Sequence, residues 1–232
     1  MINILLIETL VSKVITILIL IMGINSSSES NSSTTLKTSE LNEFHNMTLF
    51  SNEILIRLHE YYKRFSAIQT DDGVIDYEEF CMIINKKDRN LTKRLFNAID
   101  INSDGSLNYR EFIKFISVFI NGTLDEQITL SYKIFMNSDN KLIEYNNMKN
   151  LLCDVINAEE SLKGFFTEEN IEEIVKETFK EANGNVETPM NLEKYKVMVK
   201  KNPHILTWLK VDLSVILKSK SVIKHKKIGC FN

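Results

Sequence analysis

The twelve residues Asp100-Ile101-Asn102-Ser103-Asp104-Gly105-Ser106-Leu107-Asn108-Tyr109-Arg110-Glu111 constrain this chain more than any other feature. Oxygen-bearing side chains stand at positions 1, 3, 5 and 9, glycine at 6, an apolar residue at 8 and glutamate at 12. A hard cation such as calcium takes about six to eight oxygens at flexible geometry, and a loop of this length between two helices can deliver them. Asp100, Asn102 and Asp104 would give side-chain oxygens and Ser106 its backbone carbonyl. Asn108 would act through water, and Glu111 would close the site with both carboxylate oxygens. Gly105 permits the sharp turn at position 6, where a Cβ would be strained. Leu107 would pair its backbone with a neighbouring loop. Every constrained position of the signature is met.

Such a loop needs a helix on either side, and the apolar spacing supplies them. Ile54, Leu55, Leu58, Tyr61, Tyr62 and Phe65 recur at three- and four-residue steps; so do Leu91, Leu95, Phe96 and Ile99, then Phe112, Phe115, Ile116 and Phe119. Thr123-Leu124-Asp125-Glu126 is a capping box opening a helix that carries Ile128, Ile134 and Phe135. Thr167, followed by Glu168 and Glu169, opens another with Ile171, Ile174, Val175 and Phe179. Seven Gly and two Pro in 232 residues suit long helices. The unit repeats four times between Ile54 and Val199. The expected fold is all-α, with four EF-hand helix-loop-helix units arranged as two paired lobes. Residues 1–36 form a hydrophobic or targeting segment and polar spacer, 37–121 and 122–202 the lobes, and 203–232 a C-terminal helix and basic tail.

The other loops are less complete. In the first, Asp72, Val74 (through its carbonyl), Asp76 and Glu79 are candidate calcium ligands around Gly73. Counting back twelve residues from Glu79 puts Ile68 at position 1, which has no side-chain oxygen. A start at Ser66 makes a fourteen-residue loop whose early ligands are backbone carbonyls. The alternative is a structural hand that only pairs with the second. The third loop, Met136 to Asn147, has Lys141 where Gly belongs and Asn147 where Glu should chelate, so it is expected to be empty. The fourth, Asn183 to Lys194, has Thr188 for Gly, Pro189 without a backbone donor, and Lys194 at the closing position. An ammonium there repels calcium or fills the cavity itself, so this hand too is expected to be structural.

The remaining residues exclude several classes. A net charge of −3 offers no strong positive field for nucleic acid. Cys81, Cys153 and Cys230 form no CxxC pair, which suits reduced thiols. His45, His59, His204 and His225 are scattered, without an HExxH motif or a nucleophile partner, so no enzyme chemistry is indicated.

The N-terminus admits several readings. The apolar run from Val14 to Met22 is shorter than the roughly 20 residues of a spanning helix, but it matches a signal-peptide core or a hydrophobic anchor. Met22-Gly23-Ile24-Asn25-Ser26-Ser27 is an N-myristoylation sequence if translation starts at Met22. That start predicts a cytoplasmic, membrane-associated protein; the alternatives are anchoring or secretion through residues 1–22. The basic run from Lys218 to Lys227 could supply a second, electrostatic membrane signal.

Three segments carry a family likeness. Ser66 through Glu79 is similar to the fourteen-residue first loop of the calcineurin B-like calcium sensors, relatives of calcineurin B and the neuronal calcium sensors. Glu173 through Ala182 resembles that family's fourth entering helix, and Lys201-Asn202-Pro203-His204-Ile205-Leu206 the segment after its last hand. The resemblance spans about Phe50 to Ile216. It implies a regulatory subunit: a calcium sensor that binds a helical segment of a serine/threonine protein kinase and brings it to membranes. In the neighbouring branch the partner is the catalytic chain of a phosphatase. A calcium buffer without a dedicated partner is the competing class.

Overall fold

The computed structural model describes residues 36–84, 89–136, 139–158 and 166–202. The N-terminal apolar run, Gly23, and the C-terminal segment with Trp208 and the basic run lie outside the described residues. Nine helices and two short strands follow in order among them: α1 (Thr38–Thr48), α2 (Asn52–Phe65), β1 (Ile75–Asp76), α3 (Tyr77–Ile84), α4 (Arg89–Ile99), β2 (Ser106–Leu107), α5 (Tyr109–Asn121), α6 (Leu124–Phe135), α7 (Tyr145–Ala158), α8 (Glu168–Asn183) and α9 (Leu192–Lys201). The fold is all-α, and its helices alternate with polar loops.

Local chemistry sets the helix ends. Thr123 and Glu126 exchange side-chain-to-backbone bonds of 3.0 and 3.3 Å at the start of α6, and Thr167 does the same with Asn170 on α8. Each satisfies amides that the helix itself leaves unpaired. Gly184 stops α8 in the left-handed region at φ 76°. Between α5 and α6, a Cβ on Gly122 would lie 2.3 Å from the Val118 carbonyl oxygen, so only glycine allows the chain to turn there.

The helices bury their apolar stripes in one continuous core. Leu55, Leu58 and Tyr62 come from α2, Leu95, Phe96 and Ile99 from α4, and Ile113, Ile116 and Phe119 from α5; Val175 and Phe179 come from α8 and Tyr195 and Val199 from α9. Burial pushes the Tyr195 phenol up to about 12, against the opposing Ser131 hydrogen bond. Loops pair back to back. β1 and β2 are antiparallel with Ile75 opposite Leu107, and Ile143 exchanges backbone bonds of 2.9 and 2.8 Å with Met190. These four residues are position 8 of their loops, as the spacing requires.

One contact region crosses the middle of the chain: α4 packs on α6 and α7, and α5 meets α6. Arg94 on α4 donates from one guanidinium nitrogen toward the carbonyls of Ile134, Phe135 and Met136 at 3.3–3.4 Å. Those carbonyls end α6 and have no helical partners. Half-burial lowers the Arg94 pKa, partly offset by Asp154.

Helix α1 has no counterpart among the helices expected from apolar spacing. Phe44 on it packs edge-on to Tyr109 at 5.2 Å, Glu43 pairs with Arg110, and the Tyr109 hydroxyl donates to the Leu55 carbonyl at 2.7 Å. α1 thus closes the outer side of α2 and α5.

Candidate calcium-binding loops

The second loop leaves α4 at Ile99 and enters α5 at Tyr109. Asp100 is buried, and its two oxygens accept the Asp104 and Gly105 amides at 3.2 and 3.0 Å. Asn102 and Asp104 fold the next turn: Asp104 N–H donates to Asn102 Oδ1 at 3.0 Å, and Ser106 N–H to Asp104 Oδ1 at 2.9 Å. The Ser106 amide, then the Ser106 hydroxyl and the Asn102 amide, hold the Asp104 carboxyl below the ordinary carboxylate range. Glu111 reaches back across the loop. Its Oε1 accepts the Ile101 amide at 2.9 Å and its Oε2 the Asn108 amide at 3.1 Å, while Asn108 Oδ1 accepts the Glu111 amide at 3.1 Å. The closing residue is therefore also half of a capping box on α5.

Gly105 sits at φ 86° with open space where a Cβ would be. Gly105→Ala should therefore lower stability by about 1 kcal/mol through backbone strain alone. Chemical unfolding in chelator checks it, and an unchanged midpoint would remove the strain argument.

The first loop repeats this construction in its second half. Glu79 Oε1 accepts the Gln69 amide at 3.0 Å and Oε2 the Asp76 amide at 3.2 Å, and Asp76 Oδ1 accepts the Glu79 amide at 2.8 Å. Val74 N–H donates to Asp72 Oδ1 at 3.1 Å, matching the Ser106–Asp104 bond. Gly73 stands at φ 82°. The first half differs. α2 ends at Phe65, and the Ser66 amide bonds the Tyr62 carbonyl at 2.8 Å as the Asp100 amide bonds Phe96 at 2.9 Å. Ser66 thus takes the place of Asp100, which gives the fourteen-residue count, and Ile68 is turned outward, 43% exposed.

Between the two loops stands a residue that helical spacing marks only as core. The Tyr62 hydroxyl lies 2.8 Å from the Gly73 carbonyl and 2.9 Å from the Leu107 carbonyl. Burial, then the charges of Asp72, Glu111 and Glu79, push its pKa well above that of a free phenol.

Among the described residues, no three His, Cys, Asp or Glu side chains form a ready-made metal cluster. The oxygens the second loop offers are instead mixed, carboxylates with side-chain amides, which suits calcium better than zinc. Glu79, Asp100 and Glu111 are only 1, 7 and 5% exposed. No described cation pairs with them, and buried carboxylates held only by amides suit a divalent ion.

The third and fourth loops keep the shape and lose the donors. Lys141 adopts φ 58° at the position of Gly105. Glu144 bonds Asn140 and Asn147 side chains, and Asn147 brings no carboxylate. In the fourth loop Asn183 donates to the Thr188 carbonyl at 2.7 Å. Lys194 is exposed and lines a groove with Glu181, Val197 and Met198.

Comparison with known proteins adds the family context. A family model described as EF hand matches residues 92–116, which span the second loop. The chain is 28% identical to the type 2 calcineurin B of Dictyostelium discoideum over 66% of its length and 80% of the relative. Against calcineurin B-like protein 5 of Arabidopsis thaliana it is 25% identical over 67% of the chain and 77% of the relative. The calcineurin B of Naegleria gruberi is 34% identical over 49% of the chain and 60% of the relative. Fold, loops and likenesses together define a calcium-binding EF-hand protein. Within that class its likenesses are to calcineurin B and to the calcineurin B-like calcium sensors.

Proposed function

We propose that the protein is a calcium-sensing regulatory subunit that takes a helical segment of a serine/threonine protein kinase into an apolar groove. Calcium is held by Asp100, Asn102, Asp104, Ser106, Asn108 and Glu111, and in the first loop by Asp72, Val74, Asp76 and Glu79. The carrying observation is a cavity of about 280 Å³ between α4, α5 and α6, walled by Ala98, Ile99, Phe115, Val118 and Leu130. Ile101 and Glu111 also line it, so the groove adjoins the second loop directly. Lys114 and Glu126 pair at 2.5 Å across its edge. An apolar floor with charged rims suits an amphipathic helix, and a shift of α5 as Glu111 meets calcium would reshape it. Membrane recruitment, through myristoylation of Gly23 or the apolar run before it, belongs to this proposal on sequence grounds alone.

Co-purification with candidate catalytic chains, in calcium and in chelator, tests the reading. Recovery of a kinase in calcium is expected, with at least a tenfold loss, about 1.4 kcal/mol, in Ile101→Asp. That residue is 61% exposed and contributes only its backbone amide to the loop. Recovery of a phosphatase instead would favour the second reading, which the two relatives named as calcineurin B support. Recovery of neither would leave a calcium buffer.

A further inference from the structure

We propose that the Tyr62 hydroxyl couples calcium binding at the first loop to binding at the second. The inference rests on the reading that both loops hold the ion. Tyr62 stands four residues before Ser66, at the last buried turn of α2. Its single proton lies between two acceptors at nearly equal distance, 2.8 Å to Gly73 and 2.9 Å to Leu107.

The place of those two carbonyls gives the contact its consequence. Gly73 directly precedes Val74, and Leu107 directly follows Ser106. Val74 and Ser106 are the residues whose backbone carbonyls face the ion at position 7. Adjacent peptide units are each rigid and share a Cα, so drawing in one ligating carbonyl narrows the φ and ψ left to the neighbouring peptide that the phenol holds. The ring cannot follow freely, because Tyr109 and Phe112 fix it at centroid distances of 5.3 and 5.6 Å. The hydroxyl is buried, where a hydrogen bond is stronger than in water. An ion in the second loop thereby fixes the phenol and orders Gly73-Val74 in advance. The first loop then loses less entropy on binding, which is positive cooperativity. The β1–β2 ladder spans only Ile75–Asp76 and Ser106–Leu107, so the phenol is a substantial addition to the link.

The other pair of loops supplies an internal comparison. Tyr132 stands four residues before Met136, and its hydroxyl lies 2.6 Å from the Lys141 carbonyl and 3.3 Å from the Met190 carbonyl. The same positions, 6 of one loop and 8 of its partner, are bridged. The even-numbered hands have Phe96 and Phe179 at this point, with no hydroxyl to contribute. Each pair therefore carries one phenol link, and only the first pair has the closing carboxylates that let it transmit ion binding.

Titration calorimetry of the full chain with calcium, on wild type, Tyr62→Phe and Tyr132→Phe, tests the inference. Wild type should bind two ions with the second favoured over the first. Tyr62→Phe should still bind two, with the ratio of successive association constants reduced about fivefold or more. Tyr132→Phe should lower the melting temperature and leave that ratio unchanged. Two ions with an unaltered ratio in Tyr62→Phe would make the hydroxyl a structural bond only and overturn the coupling. A single ion in wild type would overturn the reading of the first loop, and the coupling with it; stoichiometry separates the two failures. Should Tyr62→Phe not fold, 3-fluorotyrosine at position 62 keeps ring and hydroxyl while strengthening the donor. It should change the ratio, and an unchanged ratio there overturns the proposal equally.

Discussion

Glu111→Gln should leave the protein folded in chelator and remove tight calcium binding at the second loop. Two roles meet in this carboxylate and the substitution separates them. As a cap, it needs an oxygen to accept the Ile101 or Asn108 amide, at 2.9 and 3.1 Å. Glutamine keeps one such oxygen and serves at N3 of a capping box. As a ligand, the residue needs its charge and both oxygens, and glutamine has neither. The loss should reach at least tenfold in affinity, about 1.4 kcal/mol or more. Calorimetry shows the loss, and thermal unfolding in chelator shows the retained fold. Tight binding that survives the change would take Glu111 out of the site.

Phe96→Ala should have the largest effect on stability, about 3–5 kcal/mol. The ring is 1% exposed and meets Tyr77 and Phe80 edge-on, each at 5.5 Å. Lys93 lies over both Tyr77 and Phe96, so the substitution also strips one face from that cation. Alanine would leave a cavity where α3 and α4 meet. A domain of this size has only about 5–15 kcal/mol in total, so the urea midpoint should fall by a large fraction. The Phe96 carbonyl accepts the Asp100 amide at 2.9 Å, which ties the ring's position to the start of the loop. Calcium affinity should therefore fall as well. A stability change below about 1 kcal/mol would show that the site collapses without cost.

The loops are legible in the sequence because a twelve-residue unit assigns each residue a job by its number. Leu107 and Ile75 can be paired, and Lys141 and Lys194 judged misplaced, from their positions alone. The capping box at Thr123 is equally plain, since it depends on neighbours in sequence. Helix α1 is not legible. Its stripe of Leu41, Phe44 and Thr48 is short, and short helices rarely stand alone; it is held by Tyr109 and Arg110, more distant in the chain than any local pattern reaches. The Tyr62 link is hidden for a related reason. At helical spacing a tyrosine and a phenylalanine read alike, and the hydroxyl gains meaning only when two loops converge on it. The left-handed Lys141 is the converse case: a residue type that argues against the turn adopts it, because the Ile143–Met190 bridge and the Tyr132 contact hold the backbone from both sides.

Arg94 has a consequence for how the chain can be divided. Its guanidinium lies far from the end of α6 in sequence, yet it occupies the donor place that a following residue would normally fill for Ile134, Phe135 and Met136. The terminus of α6 is completed by a side chain from before the turn at Gly122. A fragment beginning after that turn would carry a helix end without this donor, and the complementary fragment an Arg94 left with its bond from Nε to Asn90 Oδ1 on its own helix, at 3.3 Å. The halves are consecutive as text and interlocked as matter, so a cut at Gly122 takes a stabilising contact from both pieces at once.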